Sequence, residues 1–200
     1  MMSNIEYRSF PVMCRSEPDQ ETYVVEGYAS TFDPYVLFEY DGVKYMEEID
    51  RGAFDECDMA DVVFRVDHEG LIYARSSAGS LSLMVDDHGL FNRADLSKTS
   101  DAKRLYEHIK AGDYLQMSFA FTVREDNYDL DTHTRRILKI DRLYDVSPVS
   151  FPANPGTELN ISERGARSSI LELEKRVRDE KIKQELRKKL LADRLRKELK

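Results

Sequence analysis

The amino-acid sequence changes character near residue 163, and this change constrains the fold more than any other feature. From residue 168 to residue 200 there is no glycine or proline, and Leu, Glu, Lys and Arg predominate, a composition typical of one long helix. Ahead of this run, short segments rich in β-branched and aromatic residues alternate with turn residues, which is typical of strands. We therefore predict one domain over residues 1–162 and a helical tail over residues 163–200.

Charge divides the chain at the same point. The net charge is −8, yet residues 163–200 hold 14 Lys/Arg against 8 Asp/Glu and so carry +6, which leaves −14 on residues 1–162. An acidic domain repels phosphates, and glutamates and aspartates interrupt the basic tail. We therefore expect no specific nucleic acid partner.

Cysteine content and hydropathy exclude further classes of protein. Cys14 and Cys57 are the two cysteines, too few for a disulfide framework or a zinc site. The N-terminus has no apolar run typical of a signal peptide, and no stretch reaches the roughly 20 apolar residues of a membrane span. We expect a protein of a cell interior with no membrane contact, no metal and no other cofactor.

The pattern of residues predicts strands and one helix in the domain. A helix is expected over 100–111, capped by Ser100 or Asp101 and ended by Gly112. The predicted strands cover 22–32, a hairpin over 36–49 that turns at Asp41-Gly42, 62–68, 79–86, 90–96, 114–124 and 135–147. Antiparallel hairpins of this kind predict an α+β, mostly antiparallel fold built as a barrel or sandwich.

Four histidines are candidates for a general base. His88 falls in a turn, His108 on the helix face away from its apolar residues, and His133 in a polar loop, so all three are typical of solvated surface residues. His68 differs because it ends an apolar strand. The residues alone leave His68 open between a structural and a catalytic role.

Ser118 is a candidate nucleophile inside an apolar run, Leu115 to Phe121, although a lone serine in such a strand is more often a buried structural hydroxyl. An α/β-hydrolase is excluded, because Gln116 and Ala120 stand where a Gly-x-Ser-x-Gly elbow needs glycines.

A Cys57–His68 pair is disfavoured by the acidic neighbours of Cys57, which raise a thiol pKa. The acidic loop from Asp126 to His133 lacks the glycine and final glutamate of a calcium loop.

Laid end to end, these segments resemble the prohead (capsid maturation) serine proteases of tailed phages over roughly residues 5–162. The matching pieces, in order, are Glu26-Gly27-Tyr28-Ala29, Ile49-Asp50-Arg51-Gly52-Ala53-Phe54, Val66-Asp67-His68, Gly79-Ser80-Leu81, Met117-Ser118-Phe119-Ala120-Phe121, Leu143-Tyr144-Asp145-Val146-Ser147 and Pro152-Ala153-Asn154-Pro155. That family is related in fold to herpesvirus assemblins, so the resemblance implies a small β-barrel flanked by helices.

The resemblance also implies roles for individual residues. His68 stands at the position of the family's catalytic histidine and Ser118 at that of the nucleophile. Asp145, where related sequences commonly carry glutamate, is assigned as the third catalytic member, and Asp67 beside His68 is the alternative. Assemblins use a second histidine here, and His133 is the histidine that follows Ser118 in this chain.

The implied function is a serine endopeptidase that cleaves a scaffold or the N-terminal segment of the major capsid protein, and also itself. It would act inside the immature capsid in the host cytoplasm, with the capsid protein, its scaffold segment and the portal as partners, and as a monomer or homodimer. The tail is then a packaging handle, a removable segment or a solvated helix. The rival function is a non-enzymatic capsid scaffold or assembly protein that retains the protease fold.

Overall fold

The computed structural model describes residues 5–10, 15–16, 23–150 and 161–198. Cys14 and the segment Pro152-Ala153-Asn154-Pro155 lie outside these residues. The described elements, in chain order, are β1 (Glu6–Phe10), β2 (Arg15–Ser16), β3 (Val24–Thr31), β4 (Tyr35–Tyr40), β5 (Val43–Ile49), β6 (Val63–Val66), β7 (Glu69–Arg75), β8 (Leu81–Val85), β9 (Gly89–Asp95), α1 (Ser100–Ala111), β10 (Gln116–Asp129), β11 (Thr134–Val149) and α2 (Ile161–Glu198).

The strands form two sheets. The larger has the order β1-β10-β11-β5-β4, with β6 paired to β11 and β7 paired to β6, and the smaller has the order β2-β3-β9-β8. Most neighbours are antiparallel, whereas β11 runs parallel to β5 and to β6. The α+β class, the mostly antiparallel pairing and the C-terminal helix are confirmed. The strands described here close no barrel, so the expected barrel is not formed by these residues.

The hydrophobic core determines which side chains of β10 face away from it. Phe119 and Phe121 are fully buried in the main core cluster. Side chains alternate across a strand, so Ser118 and Ala120 point to the opposite face of the larger sheet. That face carries the residues of the candidate active site.

Helix α1 has the predicted bounds and a different N-cap. The hydroxyl of Thr99 accepts a hydrogen bond from the Ala102 N–H at 3.1 Å, so neither Ser100 nor Asp101 caps the helix. Gly112 ends it in the left-handed conformation with φ 88°, as predicted. Leu105 and Ile109 are buried, which fixes α1 to the domain.

Helix α2 begins at Ile161 and has two distinct parts. Ile170 and Leu173 are buried in a second apolar cluster, which they form with Phe38, Tyr45 and Tyr128. Farther along, Ile182, Leu186 and Leu190 are at least half exposed. None of the helices within the described ranges has the length and apolarity to span a membrane.

Candidate active site

A tight hairpin positions His68. β6 ends at Val66 and β7 begins at Glu69, so Asp67 and His68 form a two-residue turn with φ 50° and 61°, a geometry that joins strands of natural twist. The prediction that His68 ends a strand is therefore wrong by two residues. The turn is fixed to the end of β11, because the Asp67 N–H donates to the Pro148 carbonyl at 3.1 Å.

Ser118 lies in the middle of three paired strands. It is opposite Ser9 of β1 on one side and opposite Ser147 of β11 on the other. Its side chain is fully buried. Pairing on both sides fixes the backbone of Ser118, so the direction of its Cβ is set by the sheet.

Asp145 reaches the same place from β11. It pairs with Ala120 of β10 and with Val63 of β6, and it is 1% exposed. Ala120 is two residues from Ser118 and faces the same side. Ala120 is thus the neighbour of Ser118 on this face of β10 and lies opposite Asp145.

The three predicted residues meet in one chain of hydrogen bonds. His68 Nε2 is 2.7 Å from Ser118 Oγ, and His68 Nδ1 is 2.6 Å from Asp145 Oδ1. The imidazole therefore joins a hydroxyl to a carboxylate, which is the arrangement that activates a serine for acyl transfer. His133 lies elsewhere, with its Nδ1 3.3 Å from the Tyr128 hydroxyl.

The other two histidines also make their contacts outside this cluster. The ring of His88 packs edge-on against Tyr28 at 4.5 Å between centroids. His108 binds Asp113 at 2.7 Å on an exposed surface. These positions agree with the prediction that both are surface residues.

Asp145 is held in the ionised form required of such a carboxylate. Burial alone raises the pKa of Asp145, but the hydrogen bond and charge of His68, the Ser147 hydroxyl and the Arg65 guanidinium together keep that pKa below its usual range. An ionised Asp145 accepts the Nδ1 proton of His68, which leaves Nε2 to face Ser118.

Arg65 and Ser147 are contacts of Asp145 that sequence reasoning missed. Arg65 donates to Asp145 Oδ2 through Nε at 3.2 Å and Nη2 at 3.0 Å, and the Ser147 hydroxyl donates to Oδ1 at 2.8 Å. The alternation of side chains along a strand could have identified Ser147, since it is two residues from Asp145 and therefore on the same face. Arg65 carried no such signal, because the pairing of β6 with β11 is non-local.

Strand β1 supplies a second missed feature. The Ser118 hydroxyl lies 2.8 Å from the Arg8 carbonyl oxygen, and the Tyr7 ring packs on His68 with centroids 4.6 Å apart. A hydroxyl has one hydrogen, so Ser118 donates it either to Arg8 or to His68. Nucleophilic attack requires the second option.

The alternative nucleophile and the acidic loop have other roles in the structure. Burial raises the pKa of the Cys57 thiol to about 12, which opposes formation of a thiolate. Both ring nitrogens of His68 bind Ser118 and Asp145, not Cys57. In the loop, Asp129 Oδ1 accepts the backbone N–H groups of Asp131 and Thr132, as in an ordinary turn.

Comparison with known proteins agrees with the chemistry that the geometry of the site indicates. No curated protein and no solved structure matches the chain. A family model described as caudovirus prohead serine protease matches residues 10–169, which is most of the chain and includes β10, β11 and the hairpin of His68. The chain therefore belongs to the caudovirus prohead serine protease family, whose members are serine hydrolases of capsid maturation in tailed phages.

Proposed function

We propose that this chain is a serine endopeptidase with Ser118 as nucleophile, His68 as general base and Asp145 as the third member of the triad. The observation that carries the proposal is the continuous contact from Ser118 Oγ through both nitrogens of His68 to Asp145. Family membership supports the protease class, and the geometry supports these three residues.

The reaction is acyl transfer in two halves. His68 Nε2 takes the proton of Ser118 as Oγ bonds to the scissile carbonyl carbon, and the imidazolium then protonates the departing amine. The resulting ester is hydrolysed when His68 takes a proton from water and the hydroxide oxygen attacks the same carbon. Ser118 recovers its proton, and a carboxylic acid leaves.

Stabilisation of the oxyanion falls to backbone N–H groups in this mechanism. We expect them in the chain after Ser147, where β11 continues to Val149 and residues 151–160 lie outside the described residues. Substrate access also needs a local movement. A scissile carbon must approach Oγ to about 3 Å, yet the Ser118 side chain is fully buried, so we infer that Tyr7 or β1 shifts when a peptide binds.

The proposed substrates are the scaffold or the N-terminal segment of the major capsid protein, and the enzyme itself, inside the immature capsid. The portal is a further proposed partner, and an assemblin-like fold and a homodimer belong to the same proposal. The division into residues 1–162 and 163–200 stays a prediction. The exposed half of α2 supports a packaging handle or a removable segment, because its apolar side chains have solvent-facing positions.

The test is co-expression with the cognate major capsid protein. Ser118→Ala should abolish shortening of the capsid protein on denaturing gels and by mass spectrometry. Ser30→Ala is the matched control, because Ser30 is fully buried in the smaller sheet and its hydroxyl has no hydrogen-bond partner among the described residues. Unchanged processing with Ser118→Ala would refute the protease assignment and favour the non-enzymatic scaffold.

A further inference from the structure

The carboxylate of Asp145 is fully occupied by side-chain donors. Oδ1 accepts from His68 Nδ1 and the Ser147 hydroxyl, and Oδ2 accepts two N–H groups of Arg65. The donors reach it from the His68 hairpin, from β11 and from β6. With both oxygens held, the carboxylate has little freedom to rotate about its χ2 angle.

Such restraint matters because the aspartate side chain is short. A productive bond to Nδ1 requires that one carboxylate oxygen face the imidazole within hydrogen-bond distance, and here that oxygen is Oδ1. Arg65 binds Oδ2 through two adjacent nitrogens, which removes that oxygen from competition for His68. Ser147 lies on β11 two residues from Asp145, so the backbone of one strand holds both the hydroxyl and the carboxylate.

Arg65 also places a permanent positive charge beside the pair. Its side chain is 29% exposed, whereas that of Asp145 is 1% exposed. Screening is weak around a buried carboxylate. The guanidinium therefore helps to keep the pKa of Asp145 below its usual range.

We propose that Arg65 and Ser147 are positioning residues that hold the Asp145 carboxylate in register with His68. The inference rests on the proposed function of Ser118, His68 and Asp145. Neither Arg65 nor Ser147 contacts the reacting hydroxyl. They act through Asp145.

The Arg65 test separates charge from geometry in steady-state kinetics on a peptide of the capsid cleavage site. Arg65→Met should lower kcat on the order of 100-fold with little change in KM. Arg65→Lys keeps the charge and loses the planar guanidinium, so it should lower kcat about tenfold. Arg142→Met, which removes an exposed arginine of β11, is the control and should match wild type.

The outcomes are distinct. A raised KM with unchanged kcat for Arg65→Met would make Arg65 a substrate-binding residue and overturn the proposal. A kcat for Arg65→Met equal to that of wild type would overturn it too. For Ser147→Ala we expect unchanged KM and a several-fold lower kcat, and wild-type kinetics would remove Ser147 from the proposal.

A readout independent of activity distinguishes failure of this inference from failure of the protease assignment. The short bond between His68 Nδ1 and Asp145 should give a downfield proton resonance in the wild-type chain. Asp145→Asn should abolish the resonance, and Arg65→Met should broaden or shift it. If the resonance is present and unchanged in Arg65→Met, positioning by Arg65 is wrong, whatever the enzyme cleaves.

Discussion

Two aspartates compete at the residue scale for the role of partner to His68. Asp145 contacts Nδ1 at 2.6 Å, whereas Asp67 turns towards β11 and accepts the Ser150 N–H at 2.8 Å and the Ser150 hydroxyl. Asp67 therefore secures the turn, and Asp145 is the carboxylate placed to set the tautomer in the proposed triad. We expect Asp145→Asn to lower kcat by about 10³- to 10⁴-fold, as loss of the correct tautomer does in other triads.

The comparison is Asp67→Asn, measured with the same peptide. Asparagine retains a carbonyl oxygen that can accept the Ser150 N–H, so we expect less than about a tenfold loss of kcat. A larger loss for Asp67→Asn than for Asp145→Asn would reverse the assignment of the third member.

A buried ionic cluster near the site makes a second residue of the larger sheet sensitive to substitution. Glu47 is fully buried and accepts from Arg8, Arg135 and Tyr35. Removal of its charge leaves two arginines buried with less compensation, so Glu47→Gln should lower the free energy of unfolding by about 3–5 kcal/mol. Urea denaturation measures the change.

The neighbouring glutamate on β5 is the control. Glu48 pairs with Arg136 at 3.2 Å, but that arginine is 51% exposed. An ion pair so exposed contributes at most about 1 kcal/mol, so Glu48→Gln should unfold close to the wild-type midpoint. Equal losses for Glu47→Gln and Glu48→Gln would show that the buried cluster is not a major source of stability.

Which individual residues could be predicted depends on how local their signal is. Ser118 and His68 could be nominated from the sequence, because an apolar strand with one hydroxyl and a histidine beside a turn are local patterns. The resemblance to a family then favoured them, and it also favoured Asp145. Arg8 and Arg65 had no local signal, since each acts across strands that are distant in the chain.

At the scale of elements, α2 is anchored at one end. Leu173 is 8% exposed within the cluster of Phe38, Tyr45 and Tyr128, whereas Leu186 is 54% exposed. We expect Leu173→Ala to destabilise the docked helix by about 2–5 kcal/mol, because it leaves a cavity in that cluster. Hydrogen exchange should show faster exchange of amides near residues 165–177.

Leu186→Ala is the matched variant on the same helix. Its side chain buries little surface in a monomer. We therefore expect the free energy of unfolding to change by no more than about 0.5 kcal/mol, and hydrogen exchange near residue 173 to be unaltered. A strong effect of Leu186→Ala would indicate that the exposed half of α2 is covered by another surface in solution.

The ends of helices and strands could be predicted where a local residue stops the element, but not where pairing with another strand sets the end. Gly112 ends α1 and Asp41-Gly42 turns the β4–β5 hairpin as expected, since both depend on conformations with positive φ. β10 continues through polar residues to Asp129, well past the end predicted at residue 124, and β11 begins at Thr134, next to its predicted start. Antiparallel pairing between them satisfies the backbone there, so polar side chains did not end the strands.

At the scale of the whole molecule, the site depends on contacts between distant parts of the sequence. β1, β6, β10 and β11 converge on one face, and β11 binds β5 and β6 in parallel. Parallel neighbours cannot be joined by a short hairpin, so reasoning from hairpins predicted the fold class but not this sheet order.

These converging strands also bring together carboxylates that are ionised in the folded state. We therefore predict that the fold loses stability in acid. Burial opposes ionisation of Glu6, but Arg8 and Arg135 lower the pKa of Glu6 from 4.5 to about 2. The pKa values of Glu47 and Asp145 are lowered as well. A carboxyl with a depressed pKa in the folded state binds its proton more readily when unfolded. Its contribution to stability is therefore complete above about pH 4.5 and declines as the pH falls towards 2.

Urea unfolding between pH 3 and pH 7 measures this effect. We expect a plateau in the free energy of unfolding above pH 5 and a steep decline below pH 4.5 for the wild-type chain. Glu6→Gln removes one of the titrating groups, so its curve should lie lower at pH 7 and decline less towards pH 3. Glu39→Gln, at an exposed position of β4, should follow the wild-type curve. If Glu6→Gln and wild type lost equal stability between pH 7 and pH 3, the ion pairs of Glu6 would not link β1 to the acid response of the fold.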